Sequence, residues 1–314
     1  MLDLTSDKKP LVTVITVTYN SSAYVRDAIE SVLAQGYRNI EYIIGDDCSI
    51  DNTWDIIQEY NDQRIRAYRN DINMGEYPNR NRAIGMANGT FIFFIDGDDI
   101  VLHRGIEDTV REMMEYPDCH MVVVRPENPK FIGPLRIERR DALMLEFFGN
   151  GVLDSSLGNN AYRRDFLQSN LFLTSYKNSD TYSRITFLKH TDLLVLICPI
   201  AIWRQSHNQS SKKITIIRQL RERLRFYRDY VLTDGSMMDF VPIAAIKRKY
   251  YRLLSRVLFE DLKSFRLKSI RQEYRSFILD EWRSIYSYLK QPEEPEFWRE
   301  YNYNNLHINF RKKR

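Results

Sequence analysis

The stretch that decides the fold is Phe91-Ile-Phe-Phe-Ile-Asp-Gly-Asp-Asp99, in which five apolar residues lead directly into three carboxylates. A short apolar run of this kind is typical of a strand buried on both faces. The carboxylates repel one another unless a cation or hydrogen bonds compensate. A polar turn that merely ends the strand is the alternative interpretation. The pattern favours a strand ending in a divalent-cation site, because hard oxygen ligands suit such ions.

Strand and helix patterns alternate on the N-terminal side of this stretch. Strands are expected at 11–18, 40–44, 64–68 and 91–95, and helices at 25–33, 53–60 and 79–87. This β-α-β-α order predicts an α/β fold, with a mostly parallel mixed sheet flanked by helices. Ligands of such sheets bind at the carboxyl ends of the strands. We therefore expect one polar rim, formed by Thr18-Tyr-Asn20, Asp46-Asp-Cys-Ser49 and Asp96-Gly-Asp-Asp99.

Two common phosphate-binding motifs are missing from the sequence. There is no Gly-x-Gly-x-x-Gly and no Gly-Lys followed by Ser or Thr, so a glycine-rich loop is not expected to hold phosphates here. A metal ion is expected to neutralise them instead.

The composition is that of an ordered globular protein. Among 314 residues, 43% are hydrophobic and 28% charged, which is enough for a large core. The widely spaced Cys48, Cys119 and Cys198 suit ordinary thiols in a reducing compartment. The polar N-terminus lacks a secretory signal, and the longest later apolar run, 193–203, is too short to cross a bilayer and predicts a buried strand. We expect a cytoplasmic protein.

Charge divides the chain unevenly. Residues 212–314 carry 24 Lys and Arg against 13 Asp and Glu, a net charge of +11, whereas the first 211 residues carry −7. The C-terminal part also has amphipathic helical patterns, so the sequence predicts a domain at 1–211 and a basic helical region at 212–314. A solvated basic face is one interpretation, and peripheral attachment to the anionic inner face of a membrane is the other. No nucleic-acid-binding motif accompanies the charge.

The motifs together resemble a known family. Val17-Thr-Tyr-Asn20, Asp46-Asp-Cys-Ser-Ile-Asp-Asn-Thr53, Asn73-Met-Gly75 with Asn79-Arg-Asn81, and Phe94-Ile-Asp-Gly-Asp-Asp99 follow one another. In this order and spacing they resemble the family 2 glycosyltransferases, which have the A-type nucleotide-diphospho-sugar transferase fold. The resemblance covers roughly residues 10 to 210 and is dense up to Asp99. It implies a Rossmann-like fold and a nucleotide-diphosphate-sugar donor, with UDP favoured.

The resemblance also implies a role for each matching residue. The donor-binding residues would be Thr18, Tyr19, Asn20, Asp46, Asp47, Arg80 and Asp96. Of these, Thr18 and Tyr19 would line the base pocket, Asp47 or Asp46 would bind the base, and Arg80 would approach the diphosphate. Asp98 would bind Mn²⁺ or Mg²⁺ directly, and Asp99 is a second candidate ligand. His207, in a stretch resembling the family's Tyr-Arg-x-x-x-His, would complete the metal shell or contact the diphosphate.

The family's catalytic base comes from an acidic pair beyond the metal motif. Ser179-Asp180 is the match here, with Ser in place of the usual Glu, so Asp180 is the predicted base. The same residue could instead cap a helix, and Asp154 and Asp192 are the alternatives. Attack by the activated hydroxyl would invert the anomeric centre without a covalent enzyme intermediate.

The expected activity is therefore an inverting, metal-dependent sugar transfer to a hydroxyl of a glycan or lipid-linked acceptor in surface polysaccharide synthesis. A nucleotidyltransferase is one alternative, although the basic glycine-rich loop it needs after the first strand is replaced by Asn20-Ser-Ser-Ala-Tyr24. A non-catalytic module that binds sugar nucleotides or a partner is the other.

Overall fold

The computed structural model describes residues 9–125, 133–148, 151–153, 155–176, 179–204, 222–232 and 245–253. The chain divides into two units, with a boundary between His207 and Asn208. The predicted boundary at 211 and 212 lies outside the described residues and stays a prediction. Asp154 and His207 also lie outside them.

The first unit begins with alternating strands and helices. These are β1 (Val12–Thr18), α1 (Val25–Leu33), β2 (Ile40–Asp46), α2 (Thr53–Gln58), β3 (Ile65–Arg69), α3 (Glu76–Met86) and β4 (Phe91–Phe94). There follow β5 (Ile100–Val101), α4 (Gly105–Glu115), β6 (Cys119–Val124), β7 (Leu135–Ile137), α5 (Arg139–Phe148), β8 (Asn160–Arg163), α6 (Arg164–Ser169), α7 (Ser179–Phe187), β9 (Asp192–Leu196) and β10 (Ala201–Ile202).

Eight of these strands form one mixed sheet in the order β3-β2-β1-β4-β8-β6-β9-β7. The pairs on both sides of β1, and the β2–β3 and β6–β9 pairs, are parallel. Because β8 runs antiparallel to both β4 and β6, β4, β6 and β9 point the same way. Their carboxyl ends therefore meet at one edge of the sheet, together with those of β1 and β2.

The central strands are buried because helices cover the sheet. Every residue of β1 and of β4 is buried, as the apolar and β-branched patterns predicted. Apolar residues of α1 and α4 pack against them, among them Ile29, Val32 and Ile106. This packing makes the sheet a rigid support for the loops at its edge.

The predicted α/β class and mostly parallel sheet are confirmed, with two local corrections. Residues 193–203 are not one buried strand, because the chain breaks at Pro199 into β9 and the short β10, which pairs with β5. Ile202 and Trp203 at its end are exposed. The third helix begins at Glu76, three residues before its predicted start at 79.

The second unit is described only in part. Residues 222–226 are helical and run into a π-helical turn at Tyr227–Leu232, and residues 245–253 are helical. The rest of the predicted helical region lies outside the described residues. In the part of the chain that the structure describes, no helix is both long and apolar enough to cross a membrane.

Candidate active site

The three polar segments at the carboxyl ends of β1, β2 and β4 do come together. Thr18 pairs with Asp46 in the sheet register, and the Asp47 amide donates to the Thr18 carbonyl at 2.8 Å. The acidic loop after β4 packs directly on Thr18, because a Cβ atom on Gly97 would lie only 2.8 Å from the Thr18 Oγ1. Only glycine permits this close approach. The predicted rim is therefore confirmed as a structural feature.

Asp46 is a fully buried carboxylate that its own turn satisfies. It accepts hydrogen bonds from the Ser49 hydroxyl and from the Ser49 amide at 3.1 Å. Arg69 on β3 places its Nε 3.3 Å from the Asp46 Oδ2. These contacts fix the turn after β2, where Cys48 takes a positive φ of 63°.

Asp47 is also satisfied from within the protein, by the loop that leads to α3. The Met74 and Gly75 amides donate to its two oxygens at 2.9 and 2.8 Å, and the Asn70 side chain donates at 2.8 Å. Gly75 takes a φ of 92°, which favours glycine because it lacks a side chain. Asp47 thus holds the start of α3 against the rim.

Tyr19 and Asn20 lie at the exposed end of β1. Asn20 adopts a left-handed φ of 53°, donates its amide to the Ser49 hydroxyl at 2.9 Å and accepts from the Ile50 amide at 2.9 Å. It therefore joins the ends of β1 and β2. The Tyr19 ring is 47% exposed, so a planar ligand can reach it.

Arg80 links α3 to the acidic loop. Its Nη2 donates to Asp96 at 2.6 Å and to Glu76 at 2.8 Å, and the residue is only 1% exposed. Burial acts against its charged form, but Asp96 and Glu76 outweigh burial and raise the pKa of Arg80. Its Nε and Nη1 have no hydrogen-bond partner. In this structure Arg80 orients Asp96, and its predicted contact with a diphosphate stays a prediction.

Asp99 is the buried carboxylate at the end of the acidic loop. The Arg204 amide donates to its Oδ1 at 3.0 Å, while its buried Oδ2 has no partner. Burial and the neighbouring Asp96 and Asp98 carboxylates raise the pKa of Asp99 to about 7. Asp98 is partly exposed beside it. Crowded carboxylates of this kind are hard oxygen ligands that suit Mn²⁺ or Mg²⁺.

The acidic loop needs other ligands to complete a metal shell. In the described ranges, no three His, Cys, Asp or Glu side chains are grouped so that they could hold a metal ion. A cation bound through one or two carboxylates takes its remaining ligands from water and substrate phosphates. The orphaned Asp99 oxygen fits such a site. The metal roles of Asp98 and His207 stay predictions.

Asp180, the predicted base, lies in the first turn of α7 and is held by two donors. The Tyr77 hydroxyl donates to its Oδ1 at 3.1 Å, and Arg184 donates to its Oδ2 at 2.9 Å. Desolvation raises the pKa of Glu76, the charges of Asp96 and Asp180 raise it further, and Arg80 lowers it. The Glu76 side chain is nonetheless 43% exposed. Asp180 and Asp96 both lie near the start of α3, where Tyr77 contacts Asp180 and Arg80 contacts Asp96.

Asp192, an alternative base, lies elsewhere. It starts β9, at the opposite edge of the sheet from the rim, and it pairs with Arg136 at 2.6 Å. Sequence reasoning missed three residues of the site, Glu76, Tyr77 and Arg184. The i,i+4 spacing of Glu76 with Arg80 and of Asp180 with Arg184 was the available signal for two of these, whereas Tyr77 had none.

Comparison with known proteins identifies the family. Residues 13–171 match the family model described as glycosyl transferase family 2. The chain therefore belongs to glycosyl transferase family 2.

Two relatives illustrate the range of similarity. The chain is 40% identical over 103 residues to the Escherichia coli UDP-Glc:alpha-D-GlcNAc-diphosphoundecaprenol beta-1,3-glucosyltransferase WfaP, which is 33% of this chain and 41% of that protein. It is 24% identical over 273 residues to the Campylobacter jejuni GalNAc(5)-diNAcBac-PP-undecaprenol beta-1,3-glucosyltransferase, which is 81% of this chain and 88% of that protein. At the higher identity, the match spans less than half of the relative.

A solved structure supports the fold. The mannosyltransferase PcManGT from Pyrobaculum calidifontis, in complex with GDP-Man and Mn²⁺, aligns with a TM-score of 0.57 at 16% identity. The alignment covers 90% of this chain and 86% of that one. The A-type glycosyltransferase fold implied by the motifs is thereby confirmed.

Proposed function

We propose that this protein transfers one sugar from a nucleotide-diphosphate-sugar to a hydroxyl group, with inversion, using Mn²⁺ or Mg²⁺. The observation that carries the proposal is the seating of the acidic loop on Thr18 beside Asp46 and Asp47, in a chain that belongs to glycosyl transferase family 2. With this geometry, a nucleotide and a cation would bind next to each other on the rim.

The donor would lie along the rim. Thr18, Tyr19 and Asn20 would line the base and ribose side, and the exposed Tyr19 ring offers a face for stacking. The Asp46 and Asp47 carboxylates are engaged by protein donors, so they would shape the base pocket or rearrange to bind the base. Asp96, oriented by Arg80, would contact the ribose or the water shell of the cation.

The acidic loop would bind the diphosphate through the cation. Asp98 and His207 would hold the ion, with Asp99 beside them. When bound, the ion neutralises the charge that develops on the departing nucleoside diphosphate. Asp96, Asp98 and Asp99 would position it against the end of β1.

Asp180 would act as the general base. The acceptor hydroxyl gives its proton to Asp180 while its oxygen bonds to the anomeric carbon. At the same time the bond from that carbon to the diphosphate oxygen breaks, and the electron pair leaves with the nucleoside diphosphate. Attack from the face opposite the leaving group inverts the anomeric centre.

UDP-glucose is the favoured donor, and a sugar on a diphosphate-linked polyprenol is the favoured acceptor. The support is the E. coli relative, whose name specifies UDP-Glc and a GlcNAc-diphosphoundecaprenol. A lipid-linked acceptor also accords with peripheral membrane attachment, for which the net charge of +11 on residues 212–314 is the sequence support. Surface polysaccharide synthesis is the process that uses such acceptors.

A two-stage experiment tests this function. A thermal-shift screen of UDP-, GDP- and dTDP-sugars with and without Mn²⁺ identifies the donor, because a ligand that binds the folded state raises the melting temperature. The selected donor is then incubated with a short-chain GlcNAc-diphosphate lipid. We expect an extended glycolipid with an inverted linkage, formed only with the cation. Donor binding without product, or attack at phosphorus, would refute the proposal.

A further inference from the structure

The first residues of α3 and the loop before it contact two acidic residues of the site and are linked to a third through Arg80. The Met74 and Gly75 amides bind Asp47, Glu76 pairs with the arginine that holds Asp96, and Tyr77 donates to Asp180. The segment therefore joins the donor side of the rim to the predicted base.

We infer that Tyr77 and Arg184 are positioning residues that fix the Asp180 carboxylate for proton abstraction. The inference rests on the proposed function, in which Asp180 is the base. Each Asp180 oxygen accepts one bond, Oδ1 from Tyr77 on α3 at 3.1 Å and Oδ2 from Arg184 on α7 at 2.9 Å. Two donors from different helices fix the plane of the carboxylate, which a single donor would leave free to rotate.

Arg184 is itself held rigidly. It is fully buried, and its Nη1 donates to the Ser155 carbonyl at 3.1 Å while its Nη2 also reaches the Thr181 hydroxyl at 3.2 Å. Arg184 therefore holds the Asp180 Oδ2 from a fixed position.

Tyr77 is equally constrained. It is 8% exposed, and its ring lies 6.1 Å from the Phe172 ring, centroid to centroid. Burial and the Asp180 charge raise the pKa of Tyr77 well above its ordinary value, so the phenol stays protonated and remains a donor. Its oxygen is not a competing base.

The arrangement leaves Asp180 able to accept a further bond. A carboxylate has about four lone-pair sites, the two donors occupy one on each oxygen, and 20% of the Asp180 side chain is exposed. Among the described residues, the charged and titratable groups around Asp180 are Glu76, Tyr77 and Arg80 on α3, Arg184 on α7 and Tyr162 on β8. Burial raises the pKa of Tyr162, and both arginines lower it. An acceptor hydroxyl can use the exposed position.

A double-mutant cycle tests the inference. Transfer from UDP-glucose to a short-chain GlcNAc-diphosphate lipid is measured for wild type, Tyr77→Phe, Asp180→Asn and the double variant. We expect Tyr77→Phe to lower kcat about tenfold, as for one hydrogen bond to a charged group, with the donor KM unchanged. In the Asp180→Asn background the same change should cost nothing further, because Tyr77 acts only through Asp180.

The control and a second variant separate positioning from a structural role. Tyr42→Phe removes another buried hydroxyl bond, 2.9 Å to Thr16, and should leave transfer unchanged. Tyr77→Phe should move the acidic limb of the pH–rate profile to higher pH, because a lost donor disfavours the carboxylate form. Arg184→Lys, which cannot make all three bonds, should lower kcat with an unchanged donor KM.

The outcomes distinguish the two proposals. Independent losses from Tyr77→Phe and Asp180→Asn, an unmoved pH profile, or an equal loss in Tyr42→Phe would overturn the positioning role alone. A wild-type chain that transfers no sugar from any donor in the screen would overturn both the proposed function and this inference.

Discussion

The carboxylate pair after β2 and Asp99 in the loop after β4 lie on one rim but have different environments. Asp46 and Asp47 are buried, and protein donors bind both. In the loop after β4, the Asp99 Oδ2 is buried without a donor, and its neighbours raise the pKa of Asp99 to about 7. Protein donors satisfy Asp46 and Asp47 without a ligand, whereas the buried Asp99 Oδ2 is suited to added positive charge.

This difference separates two kinds of acidic residue that the sequence alone presents alike. Donor-rich carboxylates fix loops, because each bond to a charged group contributes about 1.5–3 kcal/mol. A buried carboxylate oxygen without a donor, such as the Asp99 Oδ2, is suited to bind a cation. Substitutions at both kinds of carboxylate test this difference.

Asp98→Ala should abolish transfer, with a loss of roughly thousandfold or more, because the several kcal/mol of charge stabilisation supplied by a bound cation would be lost. The fold should stay intact without ligand, because Asp98 is partly exposed. Steady-state rates and thermal melts check both. Asp118→Ala, which removes a carboxylate with 69% side-chain exposure, is the control. Equal losses in the two variants would show that transfer does not depend specifically on Asp98.

Asp180→Asn should lower kcat about 100-fold, within the range for general-base catalysis, while the donor still binds. Isothermal titration with UDP and Mn²⁺ measures binding, and single-turnover rates measure chemistry. Asp192→Asn at the opposite edge of the sheet is the control and should transfer normally. A normal rate in Asp180→Asn would assign the proton to another group.

Asp47→Asn should cost stability, in contrast to Asp98→Ala. One carboxylate oxygen is replaced by an amide NH₂ group that faces a backbone donor. The unfolding free energy should therefore fall by about 2 kcal/mol. Urea denaturation measures this loss. The surface change Asp62→Asn, which breaks a 2.8 Å pair with Arg64, should cost less than about 1 kcal/mol. If Asp47→Asn were as stable as wild type, the donor-rich group would not be structural.

Gly97→Ala should have the smallest effect and lower the transfer rate about tenfold. A mispositioned group that loses about 1.4 kcal/mol of transition-state stabilisation lowers the rate by this factor. The new Cβ would lie 2.8 Å from the Thr18 Oγ1 and 3.0 Å from the Thr18 Cβ, so the acidic loop must shift. Gly85→Ala on α3 is the matched control, because no atom lies within 4 Å of its added Cβ.

Gly85→Ala should raise stability by up to about 1 kcal/mol, as alanine does in a helix, and leave the rate unchanged. Thermal melts and transfer rates check both glycine variants. Unchanged transfer in Gly97→Ala would show that the seat of the loop on β1 does not matter.

The sequence predicted the supports of the site better than its internal bonds. The buried runs of β1 and β4 and the polar residues at their ends were readable, because strand burial and parallel order follow from local pattern. The hydrogen bonds from the Met74 and Gly75 amides to Asp47 could not be predicted, because they depend on main-chain donors that tertiary structure brings to this residue. The bond from Tyr77 to Asp180 joins residues 103 apart in sequence, beyond the reach of local patterns.

The division of 193–203 into β9 and β10 has a similar cause. Its apolar composition predicted one buried strand, but the pairing of β9 ends at Leu196, and Pro199, which cannot donate a ladder hydrogen bond, lies in the connection to β10. Ile200 then returns toward the rim, where the Asn159 side chain accepts a bond from its amide at 2.8 Å. This turn brings the Arg204 amide to Asp99, a contact that composition does not encode.

Electron paramagnetic resonance of Mn²⁺ tests the central claim most directly. Titration of the ion into the wild-type chain with UDP should quench the free-ion signal until one ion is bound per chain, and the Asp98→Ala chain should show no such binding. Equal uptake of Mn²⁺ by the two chains, or uptake by neither, would contradict a cation site at the acidic loop.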